Sequence, residues 1–261
     1  RRKTGAANRK VQKLMNLMNM ETVHVAWDFL KENGLKALIL KSKHKIQGID
    51  DDYDYAEWWN LTKPSEEELE EQKKKTFGYM PKFSIVIPVY KTPEKFLKEM
   101  LDSIVEQTYA NWELCIADGS PDGESVENVL KKYAEKDSRI RYKVLGENFG
   151  ISGNTNAALE MAEGDFVVLA DHDDRLTPNA LFECAKKLNE NRSCDVLYSD
   201  EDKLDMDGDE LFDPHFKPDF NPDLLTSVNY ICHLFVVKKE LLDKVGGFRA
   251  EYDGAQDYDF I

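Results

Sequence analysis

The sequence predicts an α/β protein in which a mostly parallel sheet carries helices on both faces and a helical arm precedes the sheet. Short apolar, β-branched segments alternate with amphipathic segments of helix length between residues 83 and 198, which is the pattern of repeated strand–helix–strand units. The composition changes near Pro81, because the preceding residues carry charge runs and helical spacing without this alternation. A chain of 261 residues is long enough to bury a full layered core.

The elements of the predicted sheet follow one another in order. Segments 83–89, 112–117, 140–145, 166–170 and 195–198 are predicted as strands, and segments 93–105, 124–134, 152–162 and 178–189 as helices. Thr92 and Thr177 each precede a proline, so we expect each threonine to cap a helix that begins at that proline. After residue 198 the alternation stops. Asp207-Gly208 predicts a hairpin turn, and a strand at 234–237 and a helix at 239–245 follow.

Residues 1–80 are predicted to form a helical arm or linker, separate from a sheet domain at 81–261. Apolar residues recur at helical spacing at Leu14, Met18 and Phe29. Ser65 precedes a run of glutamates and then lysines, which predicts a capped, solvent-exposed helix at 66–75. The arm carries no chemistry-bearing motif, so we expect it to mediate self-association or docking to further domains of the same polypeptide.

The charge and the cysteines restrict the classes of partner. The 35 lysines and arginines against 50 acids give a net charge of −15, which argues against general nucleic-acid binding and against an anionic membrane surface. No apolar run is long enough for a transmembrane helix, and no signal peptide is recognisable. The chain begins with Arg1, so we expect it to be cut from a longer protein. The well-separated cysteines predict a reduced, cytoplasmic protein; they are Cys115, Cys184, Cys194 and Cys232.

Polar residues follow four of the predicted strands. Ligands of open parallel sheets bind beyond the carboxyl ends of the strands, so we expect these residues to share one edge of the sheet. The first strand ends in Pro88-Val89-Tyr90, the second in Asp118-Gly119-Ser120 and the fourth in Asp171-His172-Asp173-Asp174, and the third leads to Asn148-Phe149-Gly150.

The acids after the fourth strand indicate a cation site. Asp171, Asp173 and Asp174 repel one another at that edge, and carboxylate oxygens are ligands that suit Mg²⁺ or Mn²⁺. The alternative is that these acids cap the next helix. Asp174 can do so, whereas Asp171 and Asp173 lie too far upstream. Nicotinamide binding and serine hydrolysis fit poorly, because neither G-x-G-x-x-G nor G-x-S-x-G occurs.

The ordered set of these motifs carries a family resemblance. Together they resemble the nucleotide-sugar-binding half of a family-2 glycosyltransferase with the GT-A fold. Segments 198–203 and 216–219 and the pair Asn229-Tyr230 resemble a bacterial subgroup that builds surface glycans. Gly254-Ala255-Gln256-Asp257 resembles the family's later acidic motif, with Gln256 where many members have Glu. The resemblance covers about 81–261.

The resemblance also implies a role for each matching position. The nucleotide site would contain Pro88, Val89, Tyr90, Asp118, Gly150, Asn154, Asp171 and His172, with Tyr90, Val89 and Asp118 on the base and ribose. Asp173 together with Asp171 would ligate Mn²⁺ or Mg²⁺ on the diphosphate, and Asp257 would be the catalytic base. Two positions depart from the common pattern: Ala117 replaces a frequent acid, and Thr155 stands where many members have Arg.

The activity that the resemblance implies is a metal-dependent, inverting transfer of a sugar from a nucleoside-diphosphate sugar to a hydroxyl of a glycan or glycoprotein. A UDP-linked donor is favoured, and dTDP stays open because Asp118 can contact either pyrimidine. A second interpretation is a nucleotide-binding assembly module of a larger glycosyltransferase, poorly active alone, since the domain ends shortly after Asp257 and we expect it to be truncated. The acidic cluster at 200–202 is either a solvated turn or a wall of the acceptor site.

Overall fold

The structure is a computed structural model that describes residues 55–121, 124–208 and 210–261. Its described residues fall into two compact units, one of 55–64 with 202–214 and the other of 65–201 with 215–261. The predicted helical spacing at Leu14, Met18 and Phe29 lies outside the described residues. No helix in the described ranges combines the length and the apolar character that crossing a membrane requires.

The helices and strands alternate along most of the described chain. The strands are β1 Phe83–Val89, β2 Trp112–Asp118, β3 Ile140–Val144, β4 Phe166–Leu169, β5 Val196–Tyr198, β6 Glu201–Leu204, β7 Leu211–His215 and β8 Phe235–Lys238. The helices are α1 Tyr55–Thr62, α2 Glu66–Lys74, α3 Glu94–Val105, α4 Glu124–Lys136, α5 Gly150–Leu159, α6 Ala180–Glu190, α7 Pro222–Leu225, α8 Lys239–Val245 and α9 Gln256–Phe260, with a 3₁₀ turn at Ala250–Tyr252.

Six strands form one sheet in the order β3-β2-β1-β4-β8-β5, and β6 pairs with β7 in a separate ribbon. β1 pairs in parallel with β2 and with β4, and β2 pairs in parallel with β3. β8 is antiparallel to both of its neighbours, β4 and β5. The predicted mostly parallel sheet is therefore confirmed, with one difference. β5, the last strand of the predicted alternating series, does not pair with β4, because β8 lies between the two strands.

The core lies on both faces of this sheet, since the central strands are buried on both sides. Successive residues of a strand point to opposite faces, and along β1 the side chains of Ile85 and Ile87 join one apolar cluster while Val86 joins the other. Helices α3, α4 and α6 cover the first face, contributing residues such as Leu101. On the second face, Phe248 packs among residues of β4, α5 and β8.

Helix starts were predicted with mixed success. Ser65 caps α2 through a capping box, in which its hydroxyl accepts from the Glu68 amide and the Glu68 carboxylate accepts from the Ser65 amide, so that prediction is confirmed. The prediction for Thr92 is wrong, because Pro93 has an extended ψ of 136° and itself flanks the helix, which begins at Glu94. The prediction for Thr177 is wrong as well: α6 begins at Ala180 after a turn, with Asn179 at the cap position.

Candidate functional site

The carboxyl ends of the parallel strands bring most of the predicted nucleotide residues to one cavity. Val89, the last residue of β1, pairs with Asp118, the last residue of β2. A cavity of about 180 Å³ lies beyond these ends and next to the start of α5. It is lined by Pro88, Val89, Tyr90, Asn148, Ile151, Asn154, Asp171 and His172. Six of the eight residues predicted for nucleotide binding line this cavity. Asp118 and Gly150 are not among its lining residues.

Asp118 presents a buried hydrogen-bond acceptor without a partner. Its side chain is 0% exposed, and its Oδ1 accepts a hydrogen bond from the Ser120 amide at 2.9 Å. Its Oδ2 is also buried, and no donor within the described ranges reaches it. Buried carboxylate oxygens are normally paired, so this oxygen is an unpaired acceptor, on a residue that pairs with Val89 of the cavity lining.

A pair of hydrogen-bonded asparagines also lines the cavity. Asn154 is 2% exposed, and its Nδ2 donates to Asn148 Oδ1 at 2.9 Å while its Oδ1 accepts from the Phe149 amide at 3.1 Å. Asn148 Oδ1 also accepts from the Gly150 amide at 3.1 Å. Gly150 has a φ of +77°, and a Cβ at this position would run into the carboxylate of Asp253. Gly150 therefore permits the tight start of α5.

Asp171 belongs to a group of three possible metal ligands that the sequence did not predict as a set. One ligand atom each of Asp171, Asp174 and His233 lies within 4.8 Å of the others. His233 Nε2 is 3.3 Å from Asp171 Oδ2, and His233 Nδ1 is buried without a hydrogen-bond partner among the described residues. Two carboxylates and an imidazole form a donor set that suits Mn²⁺, so these residues fit the cation that the acids predicted.

The electrostatics of this group are those of an ion pair beside a second acid. The hydrogen bond from His233 holds the pKa of Asp171 below its usual value. The same bond raises the pKa of His233 to about 11. Burial, together with nearby acids, raises the pKa of Asp174. A bound cation would take the place of the His233 proton, because imidazole ligates metals in its neutral form.

Asp173, the other predicted metal ligand, is placed differently from Asp171. Its side chain is 58% exposed, and its Oδ1 lies 3.7 Å from His172 Nδ1. It is not part of the three-residue group around Asp171. The role of Asp173 therefore stays a prediction.

Asp257 lies in a second, smaller cavity that also contains Asp171. This cavity of about 70 Å³ is lined by Val86, Pro88, Ile151, Thr155, Leu169, Ala170, Asp171, His233, Phe248, Gln256 and Asp257. Asn229 Nδ2 donates to Asp257 Oδ2 at 2.9 Å. The predicted base therefore lines the same cavity as two of the three possible metal ligands, Asp171 and His233.

The structure separates Asp257 from its neighbour Asp259. Asp259 Oδ2 accepts from Arg249 Nε at 2.8 Å, and Asp259 does not line the cavity. The Phe260 ring stacks on that of Phe248 at 4.5 Å, which anchors α9. Ala255 occupies the cap position of α9, so Asp257 is not the cap of this helix.

The acidic cluster at 200–202 is engaged by other side chains and by the backbone. Asp200 Oδ1 accepts from the Lys217 amide at 2.7 Å. Glu201 lies 3.2 Å from His215 Nδ1 and 3.5 Å from Lys217 Nζ. Asp202 accepts a hydrogen bond from the Tyr55 hydroxyl. Each of the three acids therefore has a partner of its own, and a contribution to the acceptor site stays a prediction.

Comparison with known proteins places this site in a family. The model of the family described as Glycosyl transferase family 2 matches residues 84–246 of this chain. The O-antigen biosynthesis protein RfbC of Myxococcus xanthus is 36% identical over 208 residues, which are 80% of this chain and 16% of that protein. The chain therefore spans well under two thirds of that relative's length.

Two solved structures have a similar fold. The first is S. aureus TarS in complex with UDP, which is 26% identical with a TM-score of 0.55 and is matched over 69% of this chain and 53% of that chain. The second is the mannosyltransferase PcManGT from Pyrobaculum calidifontis in complex with GDP-Man and Mn²⁺, with 23% identity and a TM-score of 0.52 over 74% of this chain and 56% of that chain. The second likeness concerns the fold alone. With the family match over most of the sheet domain and the predicted motifs at one edge of that sheet, the chain belongs to glycosyl transferase family 2.

Proposed function

We propose that this chain transfers a sugar from a UDP-linked donor to a hydroxyl of a glycan or glycoprotein, with inversion at the anomeric carbon. The proposal rests on three groups that occur together at one edge of the sheet. They are the unpaired acceptor of Asp118, the possible metal group that includes Asp171, and the carboxylate of Asp257. The family membership and the likeness to a protein solved with UDP support the same donor class.

The nucleotide would bind in the cavity of about 180 Å³. Asp118 Oδ2 would accept the ring N–H of a pyrimidine, which uracil and thymine share. Tyr90 is 40% exposed and lines the cavity, so its ring is available to stack on the base. A titration in which UDP and dTDP compete for the site would show which of the two nucleotides binds more tightly.

A divalent cation would be held by Asp171, Asp174 and His233, with Asp173 as the alternative ligand beside Asp171. Their carboxylate and imidazole atoms lie close enough to share one ion. When bound, Mn²⁺ or Mg²⁺ supplies positive charge that stabilises the leaving diphosphate. The chain's own contribution is to hold these ligands next to the nucleotide cavity, which Asp171 also lines.

Asp257 would take the proton from the acceptor hydroxyl. Its Oδ2 is occupied by the Asn229 amide, and its Oδ1 accepts no hydrogen bond from the described residues. Oδ1 is therefore the atom that would receive the proton. A positioned general base contributes about 10²- to 10⁴-fold to such a reaction.

A second candidate function is a nucleotide-binding module that depends on other parts of a longer protein for turnover. The observation in its favour is that the chain matches only 16% of RfbC and 53% of the TarS chain. Such a module binds UDP with Mn²⁺ but releases no UDP from a sugar donor.

One set of measurements separates the two candidates. Thermal unfolding and calorimetry with UDP, dTDP and GDP, each in Mn²⁺ and in EDTA, would report the nucleotide and the metal dependence. Release of UDP from UDP-GlcNAc and other UDP-sugars, with and without glycan acceptors, would report turnover. We expect tighter UDP binding in Mn²⁺ than in EDTA together with UDP release. Equal binding in both buffers would contradict the metal-dependent site.

A further inference from the structure

Lys217 carries a buried ammonium group that the proposed reaction does not use. Its side chain is 1% exposed, and its Nζ lies 3.5 Å from Glu201 Oε2. The same Nζ donates to the carbonyl oxygen of Ile231 at 2.6 Å and to that of His233. Burial lowers the pKa of this ammonium, and the charge of Glu201 opposes that shift. A buried charge persists only when paired and hydrogen-bonded, and these contacts meet both requirements.

The two carbonyls that Lys217 binds belong to one short segment, residues 229–233. This segment turns sharply: Cys232 has a φ of +38°, a conformation that non-glycine residues rarely adopt. The Cys232 amide also donates to Asn229 Oδ1 at 3.2 Å. A turn of this kind keeps its shape only when surrounding contacts determine it, and Lys217 provides contacts on both sides of Cys232.

Each end of the segment reaches a different part of the candidate site. At one end Asn229 Nδ2 donates to Asp257 Oδ2 at 2.9 Å. At the other end His233 Nε2 lies 3.3 Å from Asp171 Oδ2. The conformation of this one segment therefore sets the position of a possible metal ligand and of the residue that holds the predicted base.

We propose that Lys217 is a positioning residue, which fixes segment 229–233 so that His233 faces the cation and Asn229 faces Asp257. The inference rests on the proposed function, since it concerns the metal and the base of that reaction. Residues that orient metal ligands typically affect metal affinity by about 10- to 100-fold when they are replaced. A lysine that served stability alone would change the unfolding temperature and leave the metal affinity of the folded protein unchanged.

The test compares Lys217→Met with a matched control, Lys82→Met. Methionine keeps the length and the apolar stem of lysine and removes its charge and its donors. Lys82 forms another lysine–glutamate pair, with Nζ 2.6 Å from Glu113 Oε2, and it lies just before β1, at the opposite end of the strand from the cavity. Free Mn²⁺ would be followed by electron paramagnetic resonance during titration of the full chain in the presence of UDP. UDP affinity in EDTA would be measured by calorimetry.

We expect Lys217→Met to weaken Mn²⁺ binding by about 10-fold or more and to leave UDP affinity in EDTA unchanged. The variant should also lower kcat for UDP release more than it changes KM for the donor. Lys82→Met should leave all three quantities near the wild-type values. An unchanged Mn²⁺ affinity in folded Lys217→Met would overturn this inference alone. A wild-type protein that binds no Mn²⁺ would overturn the proposed metal site and, with it, this inference.

A second variant serves if Lys217→Met does not fold. Glu201→Gln removes the charge that faces Lys217 Nζ and keeps the shape of the side chain, at a position that is 31% exposed. We expect it to weaken Mn²⁺ binding in the same direction, by about 3-fold or more, because the ammonium loses its counter-charge. An unchanged Mn²⁺ affinity in this folded variant would likewise overturn the positioning role.

Discussion

Replacing Asp257 by asparagine tests the proposed base with little disturbance of the structure around it. The amide of Asp257→Asn keeps the size of the carboxylate and an oxygen that can accept from Asn229 Nδ2, so the contact now measured at 2.9 Å can persist. Helix α9 keeps its anchor, the stacked rings of Phe260 and Phe248. The substitution therefore removes the proton acceptor and little else.

The size of the expected effect follows from these contacts. Loss of a general base should lower the transfer rate by at least about 10²-fold, which corresponds to about 2.7 kcal/mol of transition-state stabilisation. UDP affinity should stay near the wild-type value, because Asp257 does not line the larger cavity. Stability should fall only slightly, since an acid in the first turn of a helix contributes about 0.3–1 kcal/mol.

The assay measures transfer or UDP release under single-turnover conditions, with UDP binding by calorimetry and the unfolding temperature as controls. Asp259→Asn is the matched variant, because it changes the same side chain two positions away. Asp259 pairs with Arg249 outside the cavity, so this variant should transfer at nearly the wild-type rate. Near-wild-type transfer by Asp257→Asn, or a large loss in Asp259→Asn, would refute the assignment of the base.

Three further predictions concern the cation, the nucleotide and pH. Asp171→Asn should abolish the effect of Mn²⁺ on UDP affinity measured by calorimetry. Asp174→Asn should weaken that effect more than Asp173→Asn, and the reverse order would make Asp173 the ligand. Asp118→Asn should weaken UDP binding by about 10-fold, because the amide oxygen would face the Ser120 amide and its NH2 group would face the donor N–H of the ligand; unchanged affinity would place the nucleobase elsewhere. In EDTA, the Asp171 pairing that raises the pKa of His233 to about 11 stabilises the folded protein while His233 is protonated. This stabilisation is complete below the unfolded pKa of about 6.5 and is lost as the pH rises towards the folded value. The difference in unfolding temperature between wild type and His233→Gln should therefore shrink between about pH 6 and about pH 10, and a difference that grows would contradict the ion pair.

The elements that local sequence determines were predicted well. The buried run of β1 was predicted with the bounds that the structure has, because a continuous apolar, β-branched segment between turn residues has few other conformations. Ser65 was predicted as a cap because the capping box involves only residues three positions apart. Thr92 and Thr177 had similar local signals. In both cases the helix begins further along the chain, at Glu94 and at Ala180, and the local pattern does not report this shift.

The least predictable part of the candidate site depends on strand direction. His233 lies far along the chain from the acids after β4, so no local pattern links it to them. In the structure Phe235, the first residue of β8, pairs with Leu169, the last residue of β4. Because β8 is antiparallel, the residues just before it, His233 and Leu234, lie at the edge where β4 ends. Only knowledge of that direction could have placed His233 beside Asp171.

The insertion of β8 between β4 and β5 also has a consequence for biosynthesis. The ribosome makes β4 and β5 before β8, so until Phe235–Lys238 has emerged one edge of β4 lacks its eventual neighbour. Unpaired strand edges are sites where other chains can add, and pairings between distant segments form slowly. His233 precedes β8 in the chain, so a chain released before this region would lack both the third possible metal ligand and the eventual neighbour of β4. Premature termination in this region should accordingly yield aggregated material rather than a partially active enzyme.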